Sequence, residues 1–459
     1  MGATTIDVSR VTSEGKLTWF HFRLLALVSL LTLFDGYDIT AVSFAAPELA
    51  KAWNITDKSA FAPVFSASLV GMLIGAPFIG WAGDRYGRRP AVIASCLLFG
   101  ISTLAMMHAS SLSELIIYRF IAGIGMGGLL PNASALNIEY SPVRHRATMI
   151  IVMYVGTALG GALPGPIAAI LVPLFGWQVL FLIGGALPIL GAIAAWLWLP
   201  ESVRYLVGNK KNNNEVARLL KALGSSKEIY AADAFHIGKA KKPQSASMKM
   251  LFSGGLKVAT PLVWLLFILN LMGYFFLLSW TPLLLVGANV SIEKAAIAFS
   301  IFQLGGIVGG LCIARPMDRW GLKSVIAYFI ASAPIIGSIG FVAKMESEIL
   351  LMLIIFFGGF FTLGIQLGIN AVCAMIYPTA IRSSGAGWAI GMGRLGSIVG
   401  PIFGGMLIAA NLPIEKLYLI GAIPFAIGAV AAIALECVSR KYFSGKLLDD
   451  NEAVTGGRP

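Results

Sequence analysis

Charge is scarce in this sequence. Asp, Glu, Lys and Arg make up 12% of its 459 residues, about half of what a soluble globular domain carries. Cysteine is nearly absent: Cys96, Cys312, Cys373 and Cys437 fall in or beside apolar stretches, with no C-x-x-C pair and no histidine nearby in sequence. Neither a disulfide framework nor a metal site is expected. The four histidines (His21, His108, His145 and His236) sit at the ends of apolar stretches or in polar segments and give no sign of a buried proton relay. No H-E-x-x-H, G-x-S-x-G or Walker sequence occurs, so neither hydrolase chemistry nor direct drive by ATP is suggested, and no cofactor is expected. The apolar and polar alternation of barrel strands is missing too.

What fills the chain instead is apolar sequence, at 57% of all residues. A helix needs about 20 apolar residues to cross a bilayer core. Twelve runs meet that need: 20–41, 61–81, 91–107, 115–138, 148–172, 179–199, 261–287, 295–314, 324–342, 349–376, 385–410 and 417–435. The expected fold is an all-α integral membrane protein of twelve transmembrane helices. The first run is too long for a signal-peptide core and no small-residue cleavage site follows it, so it is expected to be retained. Proline interrupts many runs, as membrane helices tolerate where neighbours satisfy the freed backbone groups. Gly123, Gly125 and Gly128 form a nominal G-x-G-x-x-G. It lies inside an apolar run with no preceding strand, so close helix packing is expected there rather than a dinucleotide.

The net charge of +12 could suggest nucleic acid, but the placement of the basic residues argues otherwise. Across twelve spans, 27 of the 34 Lys and Arg fall on the side of the N-terminus. Five (Lys51, Lys58, Lys294, Lys344 and Lys416) fall on the other side, Arg119 and Arg394 lie deep inside spans, and Arg23, in the opening turn of the first run, is counted with the N-terminal side. The positive-inside rule places both termini in the cytoplasm and no nucleic-acid partner is expected.

The chain repeats itself. Gly80, Asp84, Arg85, Gly87, Arg88 and Arg89 follow the second run as G-x-x-x-D-R-x-G-R-R, and Asp318, Arg319, Gly321 and Lys323 echo them after the eighth. Tyr140 to Arg144 and Tyr377 to Arg382 end the fourth and tenth runs, and Gly165-Pro166 recurs as Gly400-Pro401. Nearly constant offsets in one order imply two homologous six-helix halves in parallel sense. The expected organisation is a tail at 1–19, a first half at 20–200, a linker at 201–258, a second half at 259–436 and a tail at 437–459.

With these motifs and Pro200-Glu201-Ser202 after the sixth run, the whole chain resembles the major facilitator superfamily. Asp35-Gly36-Tyr37-Asp38 is similar to the D-G-x-D signature of its aromatic acid:proton symporter family. The resemblance implies uptake of benzoate-like or hydroxylated aromatic carboxylates with protons as the coupling ion, by alternating access in a bacterial inner membrane. It also implies that the Asp84 loop latches the cytoplasmic side. The second loop departs from the pattern, with Leu322-Lys323 where the first has Arg88-Arg89.

Counting 1.5 Å per residue, Asp35 and Arg119 reach matched depth, and an Asp35–Arg119 pair is expected, either proton-coupled or purely structural. Asp38 shares a face with Asp35 and is an equal candidate for the proton. Arg394 lies near the midplane with no acid at its depth in its own half; it is expected to bind the substrate carboxylate or, alternatively, to be neutralised by Asp35 or by helix carbonyls. Asn270, Tyr274 and Gln303 could hydrogen-bond the substrate or serve as helix contacts. Gln366 and Asn370, like Asn132 and Asn137, are assigned to an inner gate or to packing. For the latch, Asp84 is expected at the N-terminus of a neighbouring helix, with Arg85, Gly87, Arg88 and Arg89 around it. Glu139, Arg144 and Arg146 are its expected partners, and Asp318, Arg319 and Arg382 are the counterparts in the second half. Rival functions are a drug:proton antiporter, disfavoured by the unmatched Arg394, and a membrane receptor, for which the linker and tail look too short and featureless. A monomer embedded in lipid is expected.

Overall fold

The computed structural model describes residues 5–208, 213–224, 234–236, 248–345, 347–377 and 381–443. Twelve helices are long and apolar enough to cross a membrane: Trp19–Ala52, Lys58–Tyr86, Arg88–His108, Leu112–Tyr140, Val143–Phe175, Gln178–Trp198, Leu256–Gly287, Ile292–Trp320, Leu322–Val342, Glu348–Cys373, Ser384–Ala409 and Ile414–Lys441. They are called spans one to twelve below.

Span ends differ from the hydropathy runs throughout, and in three spans the difference has a local reason. Span one continues past the expected end at Ala41 to Ala52. Its final turn is polar, with a Glu48–Lys51 ion pair at 2.7 Å, so a hydropathy window ends too early. Span five breaks at Leu163 into Arg146–Ala162 and Pro164–Phe175, because proline has no N–H to carry the helix ladder across the joint and is suited to a helix start. Span twelve divides into Ile414–Gly421 and Ile423–Phe443, with Pro424 at the start of the second piece.

The connecting segments are more structured than expected. The tail holds a helix, Val8–Glu14, and a strand, Thr5–Asp7, that pairs in parallel with Ala234–His236 of the linker. The linker adds the helices Val203–Gly208 and Asn213–Ala222. The second of these buries Val216, Ala217, Leu219 and Leu220, and the Thr18 hydroxyl donates to the Ala222 carbonyl at 3.1 Å.

Contacts group the chain into two units. Unit 1 is Met1–Ala41, Ala67–Gly161 and Gln178–Lys242; unit 2 is Val42–Ser66, Ala162–Trp177 and Pro243–Pro459. This division differs from a single cut in the linker, because two early segments pack within unit 2. There the Ser300 hydroxyl donates to the Ala162 carbonyl at 2.8 Å, the Ser66 hydroxyl donates to the Ile398 carbonyl at 3.1 Å, and the Phe65 ring meets Trp280 edge-on at 5.0 Å.

Close helix approaches repeat the duplication in three dimensions. A side chain at Gly71 or Gly75 of span two would strike the carbonyls of Phe120 and Ile124 in span four. At Gly305 or Gly309 of span eight it would strike those of Phe356 and Phe360 in span ten. Likewise Gly156 and Gly160 of span five press on Ser29 and Leu33 of span one, as Gly396 and Gly400 of span eleven press on Ile268 and Met272 of span seven. Without a hydrophobic drive between helices in lipid, such small residues are what allows tight packing. The G-x-G-x-x-G of span four does this work: Gly123 and Gly127 lie on Ser68 and Met72, and Gly125 lies on Ser95 and Phe99.

Candidate functional site

In unit 1 a charge cluster joins four spans. Asp35 and Asp38 are 0% exposed and Arg119 is 1% exposed. The Arg119 guanidinium forms its ion pair with the Asp38 carboxylate. It also donates to the Asp38 carbonyl at 3.2 Å and to the Ser68 hydroxyl at 2.8 Å, while the Thr103 hydroxyl donates to the other Asp38 oxygen at 2.8 Å. The expected pairing of Arg119 with Asp35 is therefore corrected to Asp38, one turn further along span one. The reason is the register of span four: Gly123 sits on Ser68, which brings Arg119, one turn earlier, beside Ser68 and Asp38. Asp35 lies within electrostatic reach of the Cys96 thiol on span three. Ser68 and Thr103 carried no sequence signal, since hydroxyl residues are common on these helices.

In unit 2 the candidate binding residues gather on one face of span seven. The Asn270 amide donates to the Gln366 side-chain carbonyl at 2.9 Å, and the Tyr274 hydroxyl donates to that of Gln303 at 3.4 Å. Gln366 thus meets Asn270 across two helices, in line with the packing alternative: two amide side chains bridge the turn or so of depth that residue counting treats as a separation. The Tyr274 ring stacks on Phe302 at 6.2 Å and 22°, Phe302 on Phe299 at 5.9 Å and 28°, and Phe44 meets Phe299 edge-on at 5.1 Å. This ladder, apart from Tyr274, was not singled out in the sequence, where aromatic residues are plentiful. Arg394 is half-buried, and among the described residues its guanidinium has no ion pair or hydrogen bond. Its height follows from its neighbours: a side chain at Gly393 would meet Phe267 and Leu271, and one at Gly396 would meet Ile268.

The repeat sets these two clusters in correspondence. By the offsets of the glycine contacts, Asp35 matches Tyr274, Asp38 matches Leu277, Ser68 matches Phe302 and Arg119 matches Ile355. Equivalent positions hold charged or hydroxyl groups in the first half and rings or aliphatic groups in the second.

At the terminus-bearing end of unit 1, Arg88 pairs with Asp84 at 3.2 Å and with Glu139 at 3.3 Å. Asp84 itself is exposed and caps no helix. The carboxylate at the N-terminus of span three belongs to Glu201, whose Oε1 accepts the backbone N–H groups of Arg88, Arg89 and Ser202 at 2.9, 3.2 and 2.7 Å. Expecting Asp84 in that role missed the acid that follows span six. Glu201 stood in a quoted motif, but only the fold brings it to the helix end. Gly87 adopts a φ of +114° there, and a side chain on it would collide with Glu201. Glu139 accepts from the Ser202 hydroxyl at 2.8 Å and from the Arg204 N–H at 2.7 Å, and Tyr140 donates to the Glu201 carbonyl. The Arg89 guanidinium donates to the Trp196 carbonyl.

The remaining gate candidates disperse. Arg85 stacks over Trp81 at 5.3 Å, and Arg144 is exposed. Asp318 is exposed and makes no ion pair among the described residues, while Arg319 lies over Trp320 at 6.0 Å. Arg146 donates to the Ser141 carbonyl at 3.1 Å and Arg382 to the Tyr377 carbonyl at 3.2 Å, the same bond 236 positions apart. Among the described residues no group of three or more His, Cys, Asp or Glu could hold a metal.

Burial raises the Glu201 carboxyl above the ordinary glutamate value, against its backbone donors and Arg89. A raised folded value means that stabilisation is full below the ordinary glutamate pKa and is lost as pH rises through the folded one. Glu201→Gln keeps an oxygen for the same three donors. Its melting temperature is expected to be flat across that window while that of the unsubstituted chain falls; an identical slope in both would refute the assignment.

Comparison with known proteins then places the chain. Residues 28–345 match the family model described as Major Facilitator Superfamily. The 4-hydroxybenzoate transporter PcaK of Acinetobacter baylyi is 34% identical, covering 95% of each chain. The gallate transporter of Pseudomonas putida is 33% identical over 94% of this chain and 95% of its own. Among solved structures, the partially occluded, inward-open xylose transporter XylE of E. coli aligns with a TM-score of 0.70 at 18% identity, covering 90% of this chain and 97% of that one. Those relatives are transporters and not enzymes, and twelve apolar spans make this a multi-pass inner-membrane protein. The chain belongs to the major facilitator superfamily, among the relatives of the bacterial aromatic-acid transporters.

Proposed function

We propose that the protein is a secondary transporter that takes up aromatic carboxylates together with protons, by alternating access, with both termini in the cytoplasm and one chain as the working unit. The observation that carries this reading is Arg394: a guanidinium inside a membrane helix, without an acid partner among the described residues, level with the Asn270–Tyr274 face of span seven. An intramembrane charge is rarely retained without a partner or a function, and a planar guanidinium suits a carboxylate through two parallel hydrogen bonds. The names of its relatives point to the same substrate class. Importing an anion against a potential negative inside costs roughly 2.3 kcal/mol per 100 mV, which one proton cancels. Asp38 and Asp35 are the carboxylates available to carry it, and protonating Asp38 would release Arg119 from its ion pair. No bound cofactor enters this scheme.

The test is uptake of labelled 4-hydroxybenzoate by proteoliposomes under an imposed inward proton gradient. Accumulation that a protonophore abolishes and that benzoate, but not glucose, inhibits is the expected result. Accumulation indifferent to the protonophore would remove proton coupling, and none at all would remove the substrate class.

A further inference from the structure

We infer that Asn270 reads a hydroxyl group on the ring of the substrate, with Gln366 as the positioning residue that aims it. The inference rests on the transport reading above and adds a specificity determinant to it.

Asn270 is completely buried, yet among the described residues its side-chain oxygen has no hydrogen-bond partner. Its NH2 group is committed to Gln366, which fixes the orientation of the amide and leaves the oxygen as an unspent acceptor. Buried polar groups are nearly always hydrogen-bonded, and an exception calls for an explanation. The chemistry of the missing partner is constrained. A carboxylate only accepts, as an amide oxygen does, so this atom cannot serve the acid end of a substrate. It needs a donor, and the donor that an aromatic acid bound as its anion can bring is a phenolic O–H.

The surroundings agree. Tyr274, one turn along the same face, has its hydroxyl committed to Gln303 and its ring stacked on Phe302, so aromatic rings stand one helical turn from the unspent acceptor. Arg394 offers the opposite chemistry, donors without an acceptor. One substrate satisfies both groups: an aromatic anion with an acid at one end and a hydroxyl elsewhere on the ring.

The experiment compares kcat/KM for uptake of 4-hydroxybenzoate and of benzoate by the full chain in proteoliposomes. The unsubstituted protein is expected to favour the hydroxylated acid by about 10-fold, the scale of one well-made hydrogen bond. In Asn270→Leu that ratio is expected to collapse toward one. Gln366→Leu, which removes the tether and leaves Asn270 in place, is expected to lower the ratio as well, and Gln366→Glu, which keeps an acceptor for the Asn270 NH2, is expected to restore it. A purely structural role would lower uptake of both acids together and leave the ratio unchanged, which overturns the inference. If Asn270→Leu does not fold, the Gln366 pair decides. Equal use of both acids by the unsubstituted protein refutes hydroxyl recognition alone. Uptake of neither refutes the transport reading as well.

Discussion

Asp38→Asn is expected to abolish accumulation of an aromatic acid against its gradient while leaving substrate exchange across the membrane in place. Asparagine fills the same space and can still bond Thr103, but it takes up no proton. Exchange needs only binding and reorientation, whereas accumulation, in the coupling proposed above, needs the charge of Asp38 to come and go. The substitution also strips Arg119 of its ion pair at a position 1% exposed. Breaking a buried pair from one side costs roughly 3–5 kcal/mol, so a marked fall in melting temperature should accompany the loss. Accumulation and counterflow measured on the same proteoliposomes separate the two effects. Full accumulation in Asp38→Asn would move the coupling role to Asp35.

Arg394 should behave in the opposite way. Its guanidinium is half-buried and has no ion pair among the described residues, so Arg394→Ala removes an uncompensated charge and is expected to leave the melting temperature level or raise it. Substrate affinity should fall by about 10- to 100-fold, which corresponds to the roughly 1.5–3 kcal/mol of a hydrogen bond to a charged group. Arg394→Lys keeps the charge but not the planar fork and should fall between. Direct binding of labelled substrate to the purified protein is the measurement. Unchanged affinity in both variants would end the assignment of Arg394 to the carboxylate. Loss of stability in one variant and gain or constancy in the other would also show that Arg119 and Arg394 have different tasks.

Much of this was legible in the sequence for identifiable reasons. Length and hydropathy alone define the twelve spans, because a lipid core requires every backbone group to be paired within the helix. The duplication was visible in the Asp84 and Asp318 loops, and the glycine contacts extend it to helix packing. The choice between Asp35 and Asp38 was not legible. The two share a helix face, and what decides between them is the seating of span four on Ser68, a property of another helix pair. Glu201 was hidden for a similar reason: its motif lies more than 100 residues from the helix it caps. Asn270 and Gln366 were separated by counting depth along axes, which neglects the reach of two amide side chains. What escaped was pairing across helices, where each partner alone looks like an ordinary polar residue.

The cluster around Arg88 has one further consequence. Asp84, Glu139, Glu201, Ser202 and Arg204, its observed partners, all belong to unit 1. It therefore works as a brace inside that unit: each of its ion pairs ties together elements that already pack within one body, so what those bonds set is the stiffness of that body.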